Sequence, residues 1–348
     1  MGSKSSPHAG VELAFPACFS RRKFLMGAAV GGLIPGGCRA RPPRSLIVYC
    51  AHDSLYADSI LERFSKIANC TVYAKYDTEA SKSLGFVSRL LAEKNSPQCD
   101  VFWNNEVLGT AALDIAGVLA DLREPHRIER RATNRWVSFG GRLRCVISAS
   151  RRSLSEESVN SVFEQGELSF LAVAKPMFGT TLTQYCRWAE VWGLSALIER
   201  HRDWVRKGLR VVDGNAQVKD LVAAGGCELG FTDSDDLHAA RDAGSTLWAE
   251  PVRIGGRTIC IPNTAAVIAG TEHGDLAHAL VAHLCSPEVE LELARSPSRQ
   301  VPLGTVDPRV LPEEVRLLWN WAQDSIDVAS LTGVRDEVLK WLRREYSS

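Results

Sequence analysis

The stretch Gly230-Phe231-Thr232-Asp233-Ser234-Asp235-Asp236-Leu237-His238 marks the point where an apolar strand gives way to a helix. Residues 229–231 are apolar and lead in, whereas residues 237–241 lead out with a helical composition. Three carboxylates therefore fall on one strand-to-helix turn, which we call the acidic turn (residues 233–236). In open α/β sheets such turns line the ligand crevice. A helix N-cap would explain one of the three carboxylates but not all of them, so the turn is a candidate ligand site, with plain capping as the alternative.

Strand, polar loop and helix patterns recur on both sides of this turn. The first half of the chain has three strand-like runs, and the second half has three more before the acidic turn is complete. They lie at residues 45–50, 70–76, 100–103, 168–174, 209–212 and 229–231. This repetition predicts two doubly wound α/β units, with the loops of each unit at one edge of its sheet.

Two longer strand-like segments, residues 136–148 and 257–268, separate these units. The first contains Gly140-Gly141 at its middle, and a long strand with a weak centre suits a crossing between lobes. We therefore predict a two-lobed α/β molecule. The predicted divisions are residues 1–44 as signal and tether, 45–138 with 262–290 as lobe 1, and 139–261 with 291–348 as lobe 2.

The composition excludes several classes of function. The chain has 41 basic and 41 acidic residues, so no overall field recruits nucleic acid or an anionic membrane surface. Its ten cysteines form no CxxC unit, and several lie in apolar runs, which predicts mostly free thiols. The sequence has no GxSxG, P-loop, HExxH or GxGxxG motif, which disfavours the common hydrolases, kinases and zinc proteases.

The N-terminal region predicts export. Arg21-Arg22-Lys23-Phe24-Leu25 precedes a short apolar stretch, residues 26–34, that cannot span a hydrocarbon core of ~30 Å. A twin arginine in this setting is typical of a Tat signal, and chance basic residues are the alternative. Ile34-Pro35-Gly36-Gly37-Cys38 then resembles a bacterial lipoprotein processing site, in which Cys38 is lipidated. We expect a periplasmic protein, either soluble or anchored through Cys38.

Polar groups on other loops join the candidate site. Phe178-Gly179-Thr180-Thr181 would place free backbone amides and two hydroxyls at a helix N-terminus, which is physically an anion site. Simple capping by Thr180 or Thr181 is the alternative. Asn215 follows the next strand and either joins the site or makes an Asx turn. Glu79 and Glu106 are solvated loop acids in most proteins, but equivalent loops of a two-lobed molecule would bring them to a cleft.

Together these motifs resemble the periplasmic ferric-ion-binding proteins of ABC importers, within the wider family 1 extracellular solute-binding proteins. The resemblance covers about residues 45–305 and rests on Leu46-Ile47-Val48-Tyr49, Asp100-Val101-Phe102-Trp103, Lys175-Pro176-Met177-Phe178-Gly179-Thr180-Thr181, Val211-Val212-Asp213-Gly214-Asn215, the acidic turn, Ile261-Pro262-Asn263-Thr264 and Ser286-Pro287-Glu288-Val289. It implies a type II periplasmic binding fold, in which two lobes, each a mixed sheet flanked by helices, are joined by two crossing strands. It also implies a monomeric, non-enzymatic receptor that closes on a solute and docks on a membrane permease.

In the iron-binding members a His, a Glu and two adjacent Tyr hold the metal, and an anion completes its coordination. The resemblance places His52 near the histidine, Asn105 on the glutamate with Glu106 beside it, and the acidic turn on the tyrosine pair. Gly179, Thr180 and Asn215 match the anion-holding turns. The predicted metal ligands are thus His52, Glu106, Asp235 and Asp236, and the other predicted ligand-binding residues are Thr78, Glu79, Asn105, Gly179, Thr180, Thr181, Asn215 and Asp233.

Carboxylates, like phenolates, are hard anionic oxygens, so Asp in place of Tyr permits Fe(III) and equally calcium or manganese. Tyr56 is a further possible phenolate. The leading prediction is a receptor for ferric iron or another metal cation with a synergistic anion and no organic cofactor. Two alternatives stay open. One is a receptor for thiamine, a polyamine or another organic cation, favoured by acidic loops near Trp103 through cation-π contact; the other is an enzyme on the same fold.

Overall fold

Nine strands of the described chain form one mixed sheet, in the order β2-β1-β3-β11-β4-β7-β5-β6 with β8 also paired to β4. The computed structural model describes residues 44–77, 84–123 and 133–347. The predicted export signal, Cys38, Thr78 and Glu79 lie outside these residues. The strands are β1 (Ser45–Cys50), β2 (Thr71–Tyr76), β3 (Val101–Asn104), β4 (Trp136–Ser148), β5 (Leu171–Ala174), β6 (Arg210–Val212), β7 (Leu229–Asp233), β8 (Trp248–Pro251) and β11 (Cys260–Val267), with β9 (Arg253–Ile254) and β10 (Arg257–Thr258) as a separate hairpin.

Helices connect these strands and cover the sheet. They are α1 (Ser54–Ala68), α2 (Leu84–Ala92), α3 (Val107–Ile115), α4 (Glu156–Phe163), α5 (Gly179–Trp192), α6 (Leu194–Arg206), α7 (Asn215–Ala223), α8 (Ser234–Asp242), α9 (Gly274–Leu284), α10 (Pro287–Arg295), α11 (Glu313–Ala322) and α12 (Thr332–Glu345), with 3₁₀ turns at Pro308–Val310 and Val328–Leu331. Among the described residues, no helix is both long and apolar enough to span a membrane.

Strands β4 and β11 join two parallel halves of the sheet. On one side β1 pairs in parallel with β2 and β3, and on the other β5 pairs in parallel with β6 and β7. The first part of β4 pairs with β11, and its last part, from Arg144 onward, pairs with β7 and β8. All 13 residues of β4 are buried, because the strand has partners on both edges and helices, among them α7, α8 and α10, pack against it. This confirms the predicted fold class with two crossing strands, whereas the lobe boundaries stay a prediction.

Both crossing strands are irregular at the same level. Gly140 takes a φ of +43°, and the β4–β11 register shifts between Pro262 and Asn263. The Asn263 Nδ2 donates to the Gly140 carbonyl at 2.7 Å, and the Glu290 Oε1 accepts from the Gly140 amide at 2.9 Å. A Cβ on Gly140 would lie 2.8 Å from the Gln300 Oε1. The weak centre predicted from Gly140-Gly141 is therefore a real break in the strand.

Close packing of α7 against β7 positions the elements that carry the acidic turn. Gly230, in β7, lies under α7, and a Cβ there would approach Val218 Cγ1 to 2.5 Å. The absence of a side chain lets the helix sit directly on the strand that ends at Asp233. The N-terminus of α7 is thereby held beside the acidic turn.

Most predicted elements have the predicted type, with shifted ends. The predicted strand 168–174 is shorter, and the predicted strand 257–268 is interrupted at Ile259. The eight cysteines in the described part of the chain are all free thiols, as expected.

Candidate functional site

The acidic turn lies where β7 ends and α8 begins. Asp233 is the last residue of β7 and the N-cap residue of α8, and Asp235 and Asp236 lie in the first helical turn. Within the described chain, the Asp233 carboxylate makes no capping hydrogen bond to α8. Plain capping, the alternative reading of this stretch, therefore does not account for Asp233.

The Asp233 carboxylate is buried in a set of donors. Its Oδ1 accepts from Arg144 Nη1 at 2.8 Å. Its Oδ2 accepts from the Thr180 hydroxyl at 2.7 Å, from Asn215 Nδ2 at 3.0 Å and from Arg142 Nε at 3.4 Å. We call the four donor residues, Arg142, Arg144, Thr180 and Asn215, the anion cradle. They come from β4 and from the first turns of α5 and α7.

Arg144 is the centre of this cradle. Its side chain is 0% exposed, and its Nε and Nη2 donate to Gln184 Oε1 at 3.0 and 2.9 Å. Arg144 is the register partner of Asp233 in the β4–β7 ladder, so the sheet itself brings the two side chains together. A buried guanidinium without a partner would cost several kcal/mol, and Asp233 provides the opposite charge.

Thr180, Thr181 and Asn215 converge as predicted, and they bind one another. Asn215 Nδ2 donates to the Thr180 hydroxyl at 2.9 Å, and the Thr181 hydroxyl donates to Asn215 Oδ1 at 3.3 Å. No described side chain caps α5 or α7, so capping by Thr180 or Thr181 is excluded in this conformation. Gly179 starts α5 with a φ of +60°, a conformation that favours glycine.

Asp235 and Asp236 have a different environment from Asp233. One carboxylate oxygen of each of the three residues lies within 4.8 Å of the others, close enough to share a cation. The Asp235 side chain is 31% exposed, and its Oδ2 lies 3.9 Å from Arg142 Nε. Asp236 Oδ2 accepts from the Thr232 hydroxyl at 2.7 Å. In the described part of the chain, this is the group of acids, histidines and cysteines that meets the geometry of a metal site.

Burial and repulsion from neighbouring acids raise the pKa values of Asp235 and Asp236. Burial raises the pKa of Asp235 to about 6, opposed by Arg142 and assisted by Asp233. Burial, Asp235 and Asp233 together raise the pKa of Asp236 to about 7. The ionised pair is therefore disfavoured in the empty protein, and a bound cation would relieve that cost.

His52 and Tyr56 come from the loop and helix that follow β1. Gln300 Nε2 donates to His52 Nε2 at 3.1 Å, and Asn263 Nδ2 holds the Gln300 Oε1 at 2.6 Å, which orients the amide. The His52 ring is buried and lies 5.8 Å from that of Tyr56. Burial, and next the Asp235 charge, raise the pKa of Tyr56. The loop after β1 and the acidic turn are therefore electrostatic neighbours.

Glu106 has a role that was not predicted. Its Oε2 accepts from the Leu108 amide and its Oε1 from the Gly109 amide, both at 2.7 Å, so the buried carboxylate caps α3. The described metal-type cluster includes neither Glu106 nor His52. Asn105 is tied to the site through its backbone, because Arg142 Nη2 donates to its carbonyl at 2.8 Å.

Arg142, Arg144, Gln184 and Gln300 are the residues that the sequence reading missed. A signal existed for two of them, because Arg142-Leu143-Arg144 places two cations inside a segment predicted to be a strand that crosses between lobes. Buried charges are rare unless paired, so the pattern required carboxylates nearby. Gln184 and Gln300 gave no comparable signal, since their partners lie far away in sequence.

Comparison with solved structures identifies the fold class. Iron-bound HitA from Pseudomonas aeruginosa matches with a TM-score of 0.70 at 17% identity, covering 87% of this chain and 99% of that one. A ferric binding protein from Campylobacter jejuni matches with a TM-score of 0.72 at 15% identity, covering 85% and 99%. Trichodesmium IdiA (FutA), in complex with iron and citrate ligands, matches with a TM-score of 0.70 at 16% identity, covering 86% and 98%.

The chain therefore has the type II periplasmic binding fold. More particularly, it has the fold of the ferric-ion-binding proteins. The match covers 85 to 87% of this chain and 98 to 99% of the three matched chains. The sequence resemblance is thus confirmed at the level of the fold. No family model and no curated protein matches the sequence.

Proposed function

We propose that this protein is an extracytoplasmic receptor of an ABC importer that binds a metal cation at the acidic turn, with ferric iron as the leading candidate. One observation carries the proposal: one carboxylate oxygen from each of Asp233, Asp235 and Asp236 lies within 4.8 Å of the other two. Asp233 is neutralised by Arg144, so Asp235 and Asp236 are the two acids that face a cation.

The charge balance favours a cation. Three carboxylates meet two guanidiniums, and Arg142 lies between Asp233 and Asp235 at 3.4 and 3.9 Å. Asp236 Oδ2 accepts from the Thr232 hydroxyl, which carries no charge, and burial, Asp235 and Asp233 raise the pKa of Asp236. A multivalent cation would stabilise charges that the empty protein holds at a cost.

The site differs from a tyrosine-based iron site in its donor atoms. Carboxylates are hard ligands that suit Fe(III), Mn(II) and Ca(II). Tyr56, whose pKa is raised by burial and by the Asp235 charge, and His52, whose ring lies 5.8 Å from that of Tyr56, could complete the coordination when the halves approach. The fold supports the rest of the proposal, namely a periplasmic location, a permease partner and binding without catalysis.

An organic cation is the second candidate, but its supporting argument is weakened. Trp103 was expected to offer its ring face to such a ligand. Its side chain is fully buried and packs against His52 and Phe139, with ring centroids at 5.4 and 5.5 Å. A buried ring cannot form the cation-π contact on which that alternative depended.

Calorimetric titration tests the proposal. Apo protein is titrated with Fe(III) nitrilotriacetate, Mn(II), Ca(II), thiamine and spermidine. Wild type should bind at least one metal, and Asp235→Asn with Asp236→Asn should weaken that binding by about 100-fold, or about 2.7 kcal/mol.

A charge-matched control separates local ligation from global charge. Asp220→Asn with Glu228→Gln removes the same two charges at side chains that are 68% and 66% exposed. This control should bind metal as the wild type does. Absence of heat with every metal, or equal affinity in the acidic-turn variant, would rule out the proposed site.

A further inference from the structure

We propose that the Asp233 carboxylate is the built-in anion of this site, so that the protein takes its cation without an external synergistic anion. The part of this inference that concerns cation binding rests on the proposed function. The part that places the Asp233 carboxylate in the anion cradle does not, because it follows from contacts in the empty protein. The inference assigns a specificity-determining role to one residue of the acidic turn.

The cradle has the chemistry of an anion site. Arg144 gives a charged donor to Oδ1, and Thr180 and Asn215 give a hydroxyl and an amide donor to Oδ2, at 2.7 to 3.0 Å. Arg142 adds a second guanidinium at 3.4 Å. Charge-assisted bonds of this length are the strong class of hydrogen bond. A free carboxylate or phosphate would use the same donors.

The cradle is held rigidly, and it points at Asp233. Gln184 accepts two hydrogen bonds from Arg144, which leaves Nη1 directed toward Asp233. The Arg144 and Asp233 side chains are both buried, and the two residues are paired in the β4–β7 register. Asp233 therefore binds as a tethered ligand. An external anion would have to displace a group whose effective concentration is in the millimolar range or above.

An anion cradle filled by Asp233 changes which ligands the site can accept. The Trichodesmium structure is a complex with iron and citrate ligands, and the sequence resemblance predicted a bound anion here at Gly179, Thr180 and Asn215. In this chain the donors of Thr180 and Asn215 already serve Asp233. The anion of the prediction is then the Asp233 carboxylate itself, and Asp235 and Asp236 remain for the cation.

Thermal unfolding of the metal-free protein tests this inference independently of cation binding. Wild type should show no difference in Tm between acetate or phosphate and chloride at equal ionic strength. Asp233→Ala empties the cradle and should have a lower Tm, because Arg144 is left buried without its counter-ion. Formate, acetate or phosphate should then raise its Tm by at least about 3 °C, since a ligand that binds only the folded state stabilises it.

Asp235→Ala is the matched control and should not respond to acetate or phosphate. The inference is overturned if folded Asp233→Ala ignores all three anions, or if the control responds equally. If Asp233→Ala does not fold, calorimetry on the wild type decides: measurable binding of phosphate, carbonate or citrate to the metal-free protein contradicts an occupied cradle, and its absence supports one. All of these measurements use metal-free protein. Their outcomes can therefore be interpreted even if the protein proves not to bind a metal.

Discussion

Asp233, Asp235 and Asp236 lie within four positions of one another, and their surroundings divide them into two roles. Asp233 is buried and neutralised by Arg144. Asp235 and Asp236 are partly exposed, and their pKa values are raised by burial, by Asp233 and, for Asp236, also by Asp235. Residue type alone could not separate them, because the difference comes from the two arginines of β4. The acidic turn therefore contains one acid with a structural role, Asp233, and two acids that are available to a cation, Asp235 and Asp236.

The stability of the empty protein should therefore fall as pH rises through the range of these two acids. Their folded pKa values, about 6 and about 7, lie above the ordinary value of 3.8. The folded state thus binds more protons than the unfolded state, and this contribution is complete below about pH 4 and lost as pH rises through 6 to 7. The double variant Asp235→Asn with Asp236→Asn lacks the effect.

Urea unfolding between pH 4.5 and 8 measures this difference. Relative to the double variant, the unfolding free energy of the metal-free wild type should decrease by about 2 kcal/mol or more over that range. A difference that does not change with pH would mean that the two acids titrate normally in the folded protein.

At the scale of elements, the helix N-termini differ in how they begin. Helix α3 is capped by Glu106, whereas in the described chain α5, α7 and α8 have no side-chain cap. Helices α5, α7 and α8 follow the neighbouring parallel strands β5, β6 and β7, whose carboxyl ends meet at the cradle. Their N-terminal dipoles favour negative charge, which suits the buried Asp233 carboxylate.

Glu106 should behave as a structural cap and not as a metal ligand. Glu106→Ala removes acceptors from the Leu108 and Gly109 amides and should lower the unfolding free energy by about 1 to 2 kcal/mol. Cation affinity measured by calorimetry should stay within a factor of about 3, or about 0.65 kcal/mol. Glu106→Gln keeps an acceptor oxygen and should lose less stability. A large loss of affinity with little loss of stability would instead restore the metal-ligand assignment from the sequence.

At the scale of the molecule, the centre of the crossing strands is linked to the site. Gly140 and Asn263 meet there, and Asn263 holds the Gln300 amide that donates to His52. Movement of the two halves about this point would therefore shift His52. We expect ligand-driven closure to bend β4 and β11 at this level.

Gly140→Ala tests this linkage. Its positive φ and the 2.8 Å approach to Gln300 Oε1 should cost about 1 to 3 kcal/mol of stability and alter cation affinity through His52. Gly225→Ala is the control, because Gly225 has a φ of +74° with no atom within 4 Å of the added Cβ. It should lose stability through backbone strain alone, with unchanged affinity. If Gly140→Ala and Gly225→Ala had the same cation affinity, the centre of the crossing strands would have no influence on the site.

Much of this architecture could be predicted because each element has a local cause. The strands β1 and β4 were predicted to the residue, because each is a strand-like run of sequence bounded by polar residues. The convergence of Thr180, Asn215 and Asp233 followed from the rule for carboxyl ends of strands. The roles of these residues could not be predicted, because they depend on Arg144 and Gln184, which reach the site through sheet register and helix packing. Glu106 was assigned to metal for the same reason, since a cap and a ligand look alike in sequence.

The pairing of β3 and β4 with β11 also constrains how the chain can fold. Val101 and Trp136 find their β11 partners, Val267 and Ala266, more than 100 residues later in the chain. Contacts of such long sequence separation slow folding, and until residue 267 has emerged, β3 and β4 present open edges that invite aggregation. N-terminal fragments ending before Cys260 should therefore be insoluble, and the first half of the sheet should reach its native form only after residue 267 of the 348 has been synthesised.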